Sequence, residues 1–292
     1  MAERRTTQRP SPSRSAKPAG VLYVVATPIG NLEDLTFRAV RILGEVAIVA
    51  AEDTRRTARL LKHYGIQTPT LSFHEHNEHQ KAPRLLTMLE QGQSIALVSD
   101  AGTPLLSDPG GALVKAALGL GIQVTPVPGA SAVLAALVAS GLTGNRFTFV
   151  GFPPNRSLAR KKWFQTLPLE QGPLVVFEAP HRLVGSLTDM LGTIGDLEVA
   201  VCRELTKMHE ELVVGPISVA LSHFTQPRGE FTIVISPSIE KKETPSKQAV
   251  LDEFGRLTDS APTRRAAVTQ VARKYGLSAR SVYQILEEGK HE

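Results

Sequence analysis

Ser94-Ile95-Ala96-Leu97-Val98 runs directly into Ser99-Asp100-Ala101-Gly102-Thr103-Pro104-Leu105-Leu106-Ser107-Asp108-Pro109-Gly110. The first five residues read as a buried strand: a short apolar run bounded by turn residues. The chain must then change direction at once, because Gly, Pro and Asp fill the following positions. In an open α/β sheet the carboxyl ends of strands line the ligand crevice. The run therefore brings two carboxylates, small hydroxyl residues and bare backbone to the place where ligands sit. Gly102 lets a ligand approach the main chain closely, and Pro104 and Pro109 stiffen the loop. On local chemistry alone, a rigid surface turn is the competing account.

Outward from this run, strand and helix signals alternate. Val21–Ala26 and Val46–Ala50 read as strands, followed by helices at Leu35–Leu43 and at Arg55–Tyr64, the latter closed by Gly65. Ile122–Val127 is a further strand, separated from Ser94–Val98 by a helical Ala112–Leu120. Ser131–Ser140 reads as a helix with Ser131 as N-cap and Gly141 as its stop. This alternation implies a mostly parallel sheet with helices on both faces. Beyond Gly144 the texture changes. Strands at Phe147–Val150, Leu174–Glu178, Glu198–Arg203, Leu212–Val214 and Phe231–Ser236, with one or two helices between them, imply a second α/β domain with a mixed sheet.

Glu240–Lys247 is a charged linker. Helices at Gln248–Leu257, Arg264–Tyr275 and Ala279–Leu286 follow, the last capped by Ser278 after the turn Gly276-Leu277-Ser278. The spacing over Val268–Leu286 is that of a helix-turn-helix. One reading puts Arg280, Ser281 and Gln284 on a recognition face. The other is a small bundle that packs on the body or on a second subunit. The expected organisation is a disordered basic tail (1–20), an N-terminal α/β domain (21–142), a C-terminal α/β domain (143–239), and a linker with a helical subdomain (240–292).

At 292 residues with 42% hydrophobic content, the chain is long enough for two domains of ordinary soluble composition. No apolar run reaches the ~18 residues of a membrane span, so no membrane partner is expected. A single cysteine, Cys202, excludes an internal disulfide and a Cys-based zinc cage and is compatible with a reducing cytoplasm. The net charge of +5 is concentrated at the ends. Residues 1–20 carry five Lys/Arg against one acid, residues 240–292 carry ten against eight, and the body carries 18 against 19. The body is therefore not a generic polyanion binder.

The chain has neither a G-x-G-x-x-G after its first strand nor a P-loop. In their place stands Ala26-Thr27-Pro28-Ile29-Gly30-Asn31, where Pro28 and Gly30 make a sharp exit suited to backbone contacts with a ligand. Ala51-Glu52-Asp53-Thr54-Arg55 ends the second strand. Thr54 is the expected cap of the next helix, with Asp53 beside its positive end. The functional alternative makes Asp53 or Glu52 a proton acceptor. Arg55, Arg56, Arg59 and Lys62 form a basic helix face, either solvated or positioning phosphates. Ser72–His79 (SFHEHNEH) holds three histidines and two glutamates. It lacks the H-E-x-x-H spacing, so no metal is expected, and His74, Glu75, His76 and Asn77 are read as a substrate-side loop. Glu178-Ala179-Pro180-His181-Arg182 and Arg203-Glu204 also follow strands. They are either buried ion pairs or the second wall of a site, where His181 serves as base or RNA contact. Arg156, Arg160, Lys161 and Lys162, with Trp163 and Phe164, either contact RNA or form an amphipathic helix.

The long loop, together with Tyr23–Leu35, Ala51–Arg55, Ser72–Glu78, Pro128–Ala132, Phe149–Pro154, Phe177–Leu183 and Arg203–Glu211 in fixed order, resembles a ribosomal RNA methyltransferase family of the tetrapyrrole-methylase superfamily. The resemblance spans residues 21–290. It implies two α/β domains with S-adenosylmethionine in the cleft between them. It also implies 2′-O-methylation of a cytidine ribose in 16S rRNA of the small ribosomal subunit, at position 1402 in conventional rRNA numbering, and a homodimer. The implied cofactor contacts are Ile29, Asp100, Thr103, Leu106, Ser131 and Ala132, with Pro28, Gly30 and Gly102 supplying backbone. Asp53, Glu52 and His181 are the candidate bases. Arg55, Arg56, Arg59, His74, His76, Asn77, Arg182 and Arg280 are the candidate RNA contacts. Two rivals remain: a methyltransferase acting on a small tetrapyrrole or another non-RNA substrate, and a non-enzymatic RNA-binding module.

Overall fold

The computed structural model describes residues 19–142, 144–237, 247–258, 263–275 and 277–288. Residues 1–18 of the expected tail, 240–246 of the expected linker and Gly276 lie outside the described residues. Gly20, at the tail's end, already donates its amide to Leu89 O at 2.7 Å.

A first sheet is built from β1 (Leu22–Val25), β2 (Ile48–Ala51), β3 (Thr70–Ser72), β4 (Ile95–Val98) and β5 (Val124–Val127), all parallel, in the order β3-β2-β4-β1-β5. Strand alternation divides its core. Val25, Val49, Ala51, Ala96, Val98 and Val127 face α1 (Phe37–Glu45) and α2 (Thr54–His63). Leu22, Ile48, Ala50, Ile95 and Leu97 face α3 (Glu78–Glu90) and α4 (Gly111–Gly119). Because strands buried on both faces need apolar residues throughout, β2 and β4 read as unbroken apolar runs. The adjacent strands β1 and β4 send their helices, α1 and α4, to opposite faces. A crevice therefore opens at their carboxyl ends.

The short strand β3 and helix α3 are additions to the sequence reading, which assigns no element to either; the His74–Asn77 loop that it names lies between them. β3 has only three residues, each half-buried, and α3 contains Pro83. The cap of α2 is Asp53 rather than Thr54: Asp53 is extended and its Oδ1 accepts from Arg55 N at 2.8 Å, while Thr54 is already helical.

The second sheet comprises β6 (Thr148–Gly151), β7 (Leu174–Glu178), β8 (Glu198–Arg203), β9 (Glu211–Pro216) and β10 (Phe231–Ile235), in the order β6-β7-β10-β8-β9. Only the β6–β7 pair is parallel, so the sheet is mixed as expected. One face packs on α6 (Ser157–Gln165), α7 (Pro180–Ile194) and α8 (Ile217–His223) through Phe164, Leu183, Leu187, Met190, Ile217 and Phe224. The other face is covered by α5 (Ala132–Ser140), the helix that follows β5 of the first sheet. Val133, Ala136 and Leu137 pack there on Val175, Ala200, Cys202 and Val234. Ser131 caps α5, and Gly141 ends it at φ 69°, as the sequence indicates.

Helices α9 (Lys247–Thr258), α10 (Arg264–Tyr275) and α11 (Ala279–Glu288) share a core of Val250, Val268, Val271, Val282 and Leu286. Ser278 Oγ accepts from Ser281 N at 3.0 Å, and Arg280 is exposed. Among the described residues, no helix is long and apolar enough to cross a membrane.

Arg160 is an internal residue and not an RNA contact. Its side chain, 7% exposed, donates to Asp189 Oδ2 at 2.9 and 2.5 Å, and Asp189 is 8% exposed. Burial alone would raise the Asp189 carboxyl. Ser157, Arg160 and Lys161 together hold it below its ordinary value. Removing one member of such a pair strands a buried charge. Asp189→Ala is therefore expected to lose roughly 3–5 kcal/mol of unfolding free energy, read by urea denaturation.

Candidate active site in the cleft between the sheets

The loops leaving β1, β4 and β5 are tied into one surface. Thr27 N donates to Gly102 O at 2.8 Å, and Gly102 N returns a bond to Thr27 O at 3.0 Å. Thr103 Oγ1 donates to Ala130 O at 3.3 Å. The turn after β2 joins them. Asp53 N donates to Asp100 Oδ1 at 2.9 Å, and Asp100 N donates to Glu52 Oε2 at 3.3 Å. At the far end of the long loop, Gly110 N donates to Glu78 Oε2 at 3.2 Å. Leu105 and Ser107 hold φ of 75° and 69°, conformations that cost non-glycine residues about 1–3 kcal/mol each and persist only where the surroundings enforce them. Gly110 stands at φ 111° where an added Cβ would lie 2.6 Å from Leu97 Cδ2, so only glycine fits.

The opposite wall comes from the second sheet. Phe177 and Glu178 end β7, Cys202 lies near the end of β8, and Phe231 and Thr232 begin β10. After β8 the chain passes through Glu204 and Thr206 at φ 51° and 68°. Glu204 Oε1 accepts from Lys207 Nζ at 2.9 Å and from Glu230 N at 2.8 Å, which anchors this turn. Gly30 meets it across the interface: a Cβ there would lie 2.3 Å from Lys207 Cγ.

Between these walls lies a cleft of about 410 Å³. Ile29, Asp100, Gly102, Thr103, Leu106, Ser131 and Ala132 all line it. Pro28 lines an adjoining pocket of about 170 Å³ with Arg56, Arg59 and Asp100, and Gly30 is packed against the other half. Of the three candidate bases only Glu52 faces the cleft. Asp53 is spent on its cap and on Arg55, 2.8 Å from its Oδ2, and that guanidinium holds its carboxyl well below the usual range. His181 is exposed, one residue past the rim formed by Ala179 and Pro180.

The expected RNA contacts divide. Arg56 reaches the cleft and lies 3.5 Å from Asp100. Arg55, Arg59 and His76 are exposed. Asn77 organises its own turn: its Oδ1 accepts from His74 N at 3.0 Å, and its Nδ2 meets His74 Nε2 at 2.9 Å. Arg182 is an internal clamp. It lies 3.1 Å from the buried Glu178 and donates to Asn155 Oδ1 and Pro153 O. The other expected pair does not form, since Arg203 joins Glu211 at 3.0 Å and Glu204 joins Lys207.

The sequence reading brings Asp108 to the ligand crevice as one of the loop's two carboxylates but names it neither as a cofactor contact nor as a base, and it gives Phe152 and Phe177 no role; all three line the cleft. Asp108 stands in the long loop itself. Phe152 directly follows Gly151, where the β6–β7 register breaks, a position that turns it out of the sheet. The Asp108 carboxyl is pushed up to about 6. Burial is the main cause, a Ser99 hydrogen bond opposes it, and the charges of Glu52 and Asp100 add to it.

Two α/β layers closing on a cleft at the first sheet's carboxyl edge are the architecture of one methylase class. A family model described as Tetrapyrrole (Corrin/Porphyrin) Methylases matches residues 21–220, and the chain belongs to that family. Its particular branch is marked by relatives named Ribosomal RNA small subunit methyltransferase I. The one from Synechocystis sp. is 45% identical over 270 residues, covering 91% of this chain and 97% of the relative. The one from Bacillus subtilis is 41% identical over 271 residues, covering 90% and 93%. Among solved structures, uroporphyrin-III-C-methyltransferase from Thermus thermophilus shares the fold at TM-score 0.55 and 21% identity, over 82% of this chain and 98% of that one. The methyltransferase CobJ does so at TM-score 0.59 and 18% identity, over 75% and 95%.

Asp108 also sets a pH dependence of stability. The folded protein holds this proton more tightly than the unfolded chain, whose carboxyl keeps its ordinary value of 3.8. Stability from this group is therefore present at low pH and is lost as pH rises from about 4 to about 6. Asp108→Asn removes the loss. Allowing for solvent screening in an open cleft, it is expected to exceed the wild type by ~1–2 kcal/mol at pH 7.5 and by much less at pH 4, read by chemical denaturation at both pH values.

Proposed function

We propose that this chain is an S-adenosylmethionine-dependent methyltransferase that acts on the 2′-hydroxyl of a cytidine ribose in 16S rRNA of the small ribosomal subunit. The observation that carries this reading is the convergence of Asp100, Gly102, Thr103 and the start of α5 on one wall of the cleft, in a chain whose full-length relatives are named for that RNA. A solved neighbour of the same fold, at TM-score 0.53, is the Thermus thermophilus uroporphyrin-III C-methyl transferase complexed with S-adenyl homocysteine.

The donor set fits such a cofactor. The Ala132 and Val133 amides at the start of α5 have no helical partner and suit a carboxylate, while Leu134 N is met by the Ser131 cap. Asp100 is an acceptor for an ammonium or a ribose. Ile29, Leu106 and Phe177 give apolar cover, and Gly102, at φ 80°, leaves the main chain bare. When bound, the cofactor supplies a methyl group activated on a sulfonium. The rest of the task falls to this chain. A ribose hydroxyl is a weak nucleophile, so the cleft must hold it in line and exclude water. Such positioning is worth ~7–11 kcal/mol at its best. Arg56 and Arg59, on successive turns of α2 beside the cleft, are placed to meet the phosphates flanking the target sugar. A homodimer in the cytoplasm belongs to the same reading, with a solution mass by light scattering of twice the 31.5 kDa chain.

The test is methyl transfer from radiolabelled S-adenosylmethionine to small subunits that lack the modification, set beside free rRNA and an uroporphyrinogen substrate. Label on a cytidine 2′-oxygen is expected, and label on the tetrapyrrole alone would defeat the reading. Asp100→Ala removes both an acceptor in the cleft and the tie to Asp53. It is expected to weaken S-adenosylhomocysteine binding by about tenfold or more in calorimetry, the worth of one charge-assisted hydrogen bond.

A further inference from the structure

We propose that Asp108 is the catalytic residue that takes the proton of the target ribose hydroxyl. The inference rests on the ribose-methylation reading above.

Three carboxylates converge on the first-sheet wall: Glu52 from the end of β2, Asp100 from the end of β4, and Asp108 from the far limb of the loop after β4. Two of them are engaged. Asp100 accepts the Asp53 amide and faces Arg56 at 3.5 Å, and Glu52 accepts the Asp100 amide. Asp108 has no cation within ion-pair distance among the described residues, and the nearby Ser99 hydroxyl is the one group that favours its charged form. The charged groups around it come from several elements. Glu52 and Asp100 lie beside it, and Glu78 of α3 holds the Gly110 amide two residues on. Glu178 and Glu230 lie across the cleft, neutralised by Arg182 and Lys207, and among the described residues Arg56 is the one cation in the lining itself. A carboxylate without a cation of its own, beside Glu52 and Asp100, suits a group that must accept a proton and release it to solvent in each turnover.

The loop fixes Asp108 in place. Ser107 before it and Gly110 after it both hold positive φ, and Leu97 closes the space beside Gly110. The elevated pKa of about 6 agrees with this role. At neutral pH such a group is mostly ionised yet still basic enough to accept a proton in the transition state. The other candidates fail on geometry: Asp53 is locked to Arg55, and His181 stands outside the cleft. In the step, the ribose oxygen gains a bond to the methyl carbon as that carbon's bond to sulfur breaks, with the electron pair staying on sulfur. The hydroxyl proton passes to the Asp108 carboxylate and then to water.

The experiment compares wild type, Asp108→Asn and Asp108→Glu in single-turnover methylation of unmodified small subunits between pH 5 and 8.5. Carbon-13 NMR of aspartate-labelled protein without cofactor supplies a second readout. The wild-type rate is expected to rise through about pH 6 and level off. Asp108→Asn is expected to slow the step by about 10²–10⁴-fold and to lose the rising limb, with S-adenosylhomocysteine affinity changed less than about threefold. Asp108→Glu should restore part of the rate with a limb of its own. A carboxyl resonance titrating near pH 6 should vanish in Asp108→Asn. An Asn variant within about tenfold of wild type, with the limb intact, or no carboxyl titrating above the ordinary range, overturns the assignment alone. A wild type that binds S-adenosylhomocysteine yet leaves subunits unlabelled overturns the substrate reading and this one with it.

Discussion

The Asp100 carboxylate and its own amide hold the site together. The carboxylate receives the Asp53 amide, the amide is given to Glu52, and the remaining oxygen faces Arg56. Two loops from different strands are thereby locked through one residue. The paired Thr27 and Gly102 bonds lock a third. Without these ties, loops of such composition would sample many conformations, and the entropy of ordering them would fall on the binding event. With them, the first wall of the cleft is already built when a ligand arrives. The strained Leu105 and Ser107 are tolerated because the surrounding bonds over-determine their positions.

The second wall is held differently. Glu178 is nearly fully buried, and its charge is met by the Ser186 hydroxyl, the Ala179 amide and Arg182. Arg182 in turn fixes the carbonyl of Pro153 and the Asn155 side chain, which sets the segment that carries Phe152. A buried ion pair of this kind contributes little net stability, but it specifies one arrangement of the chain. One wall is thus organised by backbone amides on carboxylates, and the other by a guanidinium. The result is an acid-lined cleft with aromatic cover on one side, a combination suited to a cationic, amphipathic small molecule.

How far this was legible in the sequence depends on which physical signal each part carried. The central strands β2, β4 and β7 announce themselves because burial on both faces demands apolar runs, and β10 does so with the single interruption of Thr232. The cap and stop of α5 are equally plain, since Ser131 and Gly141 answer specific backbone needs. The strand β3 was hidden by its three half-buried residues, and α3 by a proline within its turns. The partner of α5 was hidden as well: AVLAALVAS is apolar all round, so no polar face says which sheet it covers. Seven of the nine expected cofactor contacts line the cleft, six of them because they share one loop or one helix start, and Ile29 because the β1 exit is tied to that loop. The basic residues were harder. A charge in a sequence does not say whether it faces water or a buried acid, and Arg160 and Arg182 face acids.

The crossing of α5 has a consequence for the chain as it is synthesised. This helix leaves the ribosome with the first sheet, yet the surface that it needs does not exist until β7, β8 and β10 have followed. Until then Val133, Ala136 and Leu137 have no partner, and they form an adhesive apolar stripe on an otherwise finished layer. A nascent chain paused between Gly141 and Leu174 is therefore a natural client for a holdase that binds near the exit tunnel. A fragment that ends after α5 would carry the same uncovered stripe, whereas a cut between Val127 and Ala132 would leave the helix with the sheet that it covers.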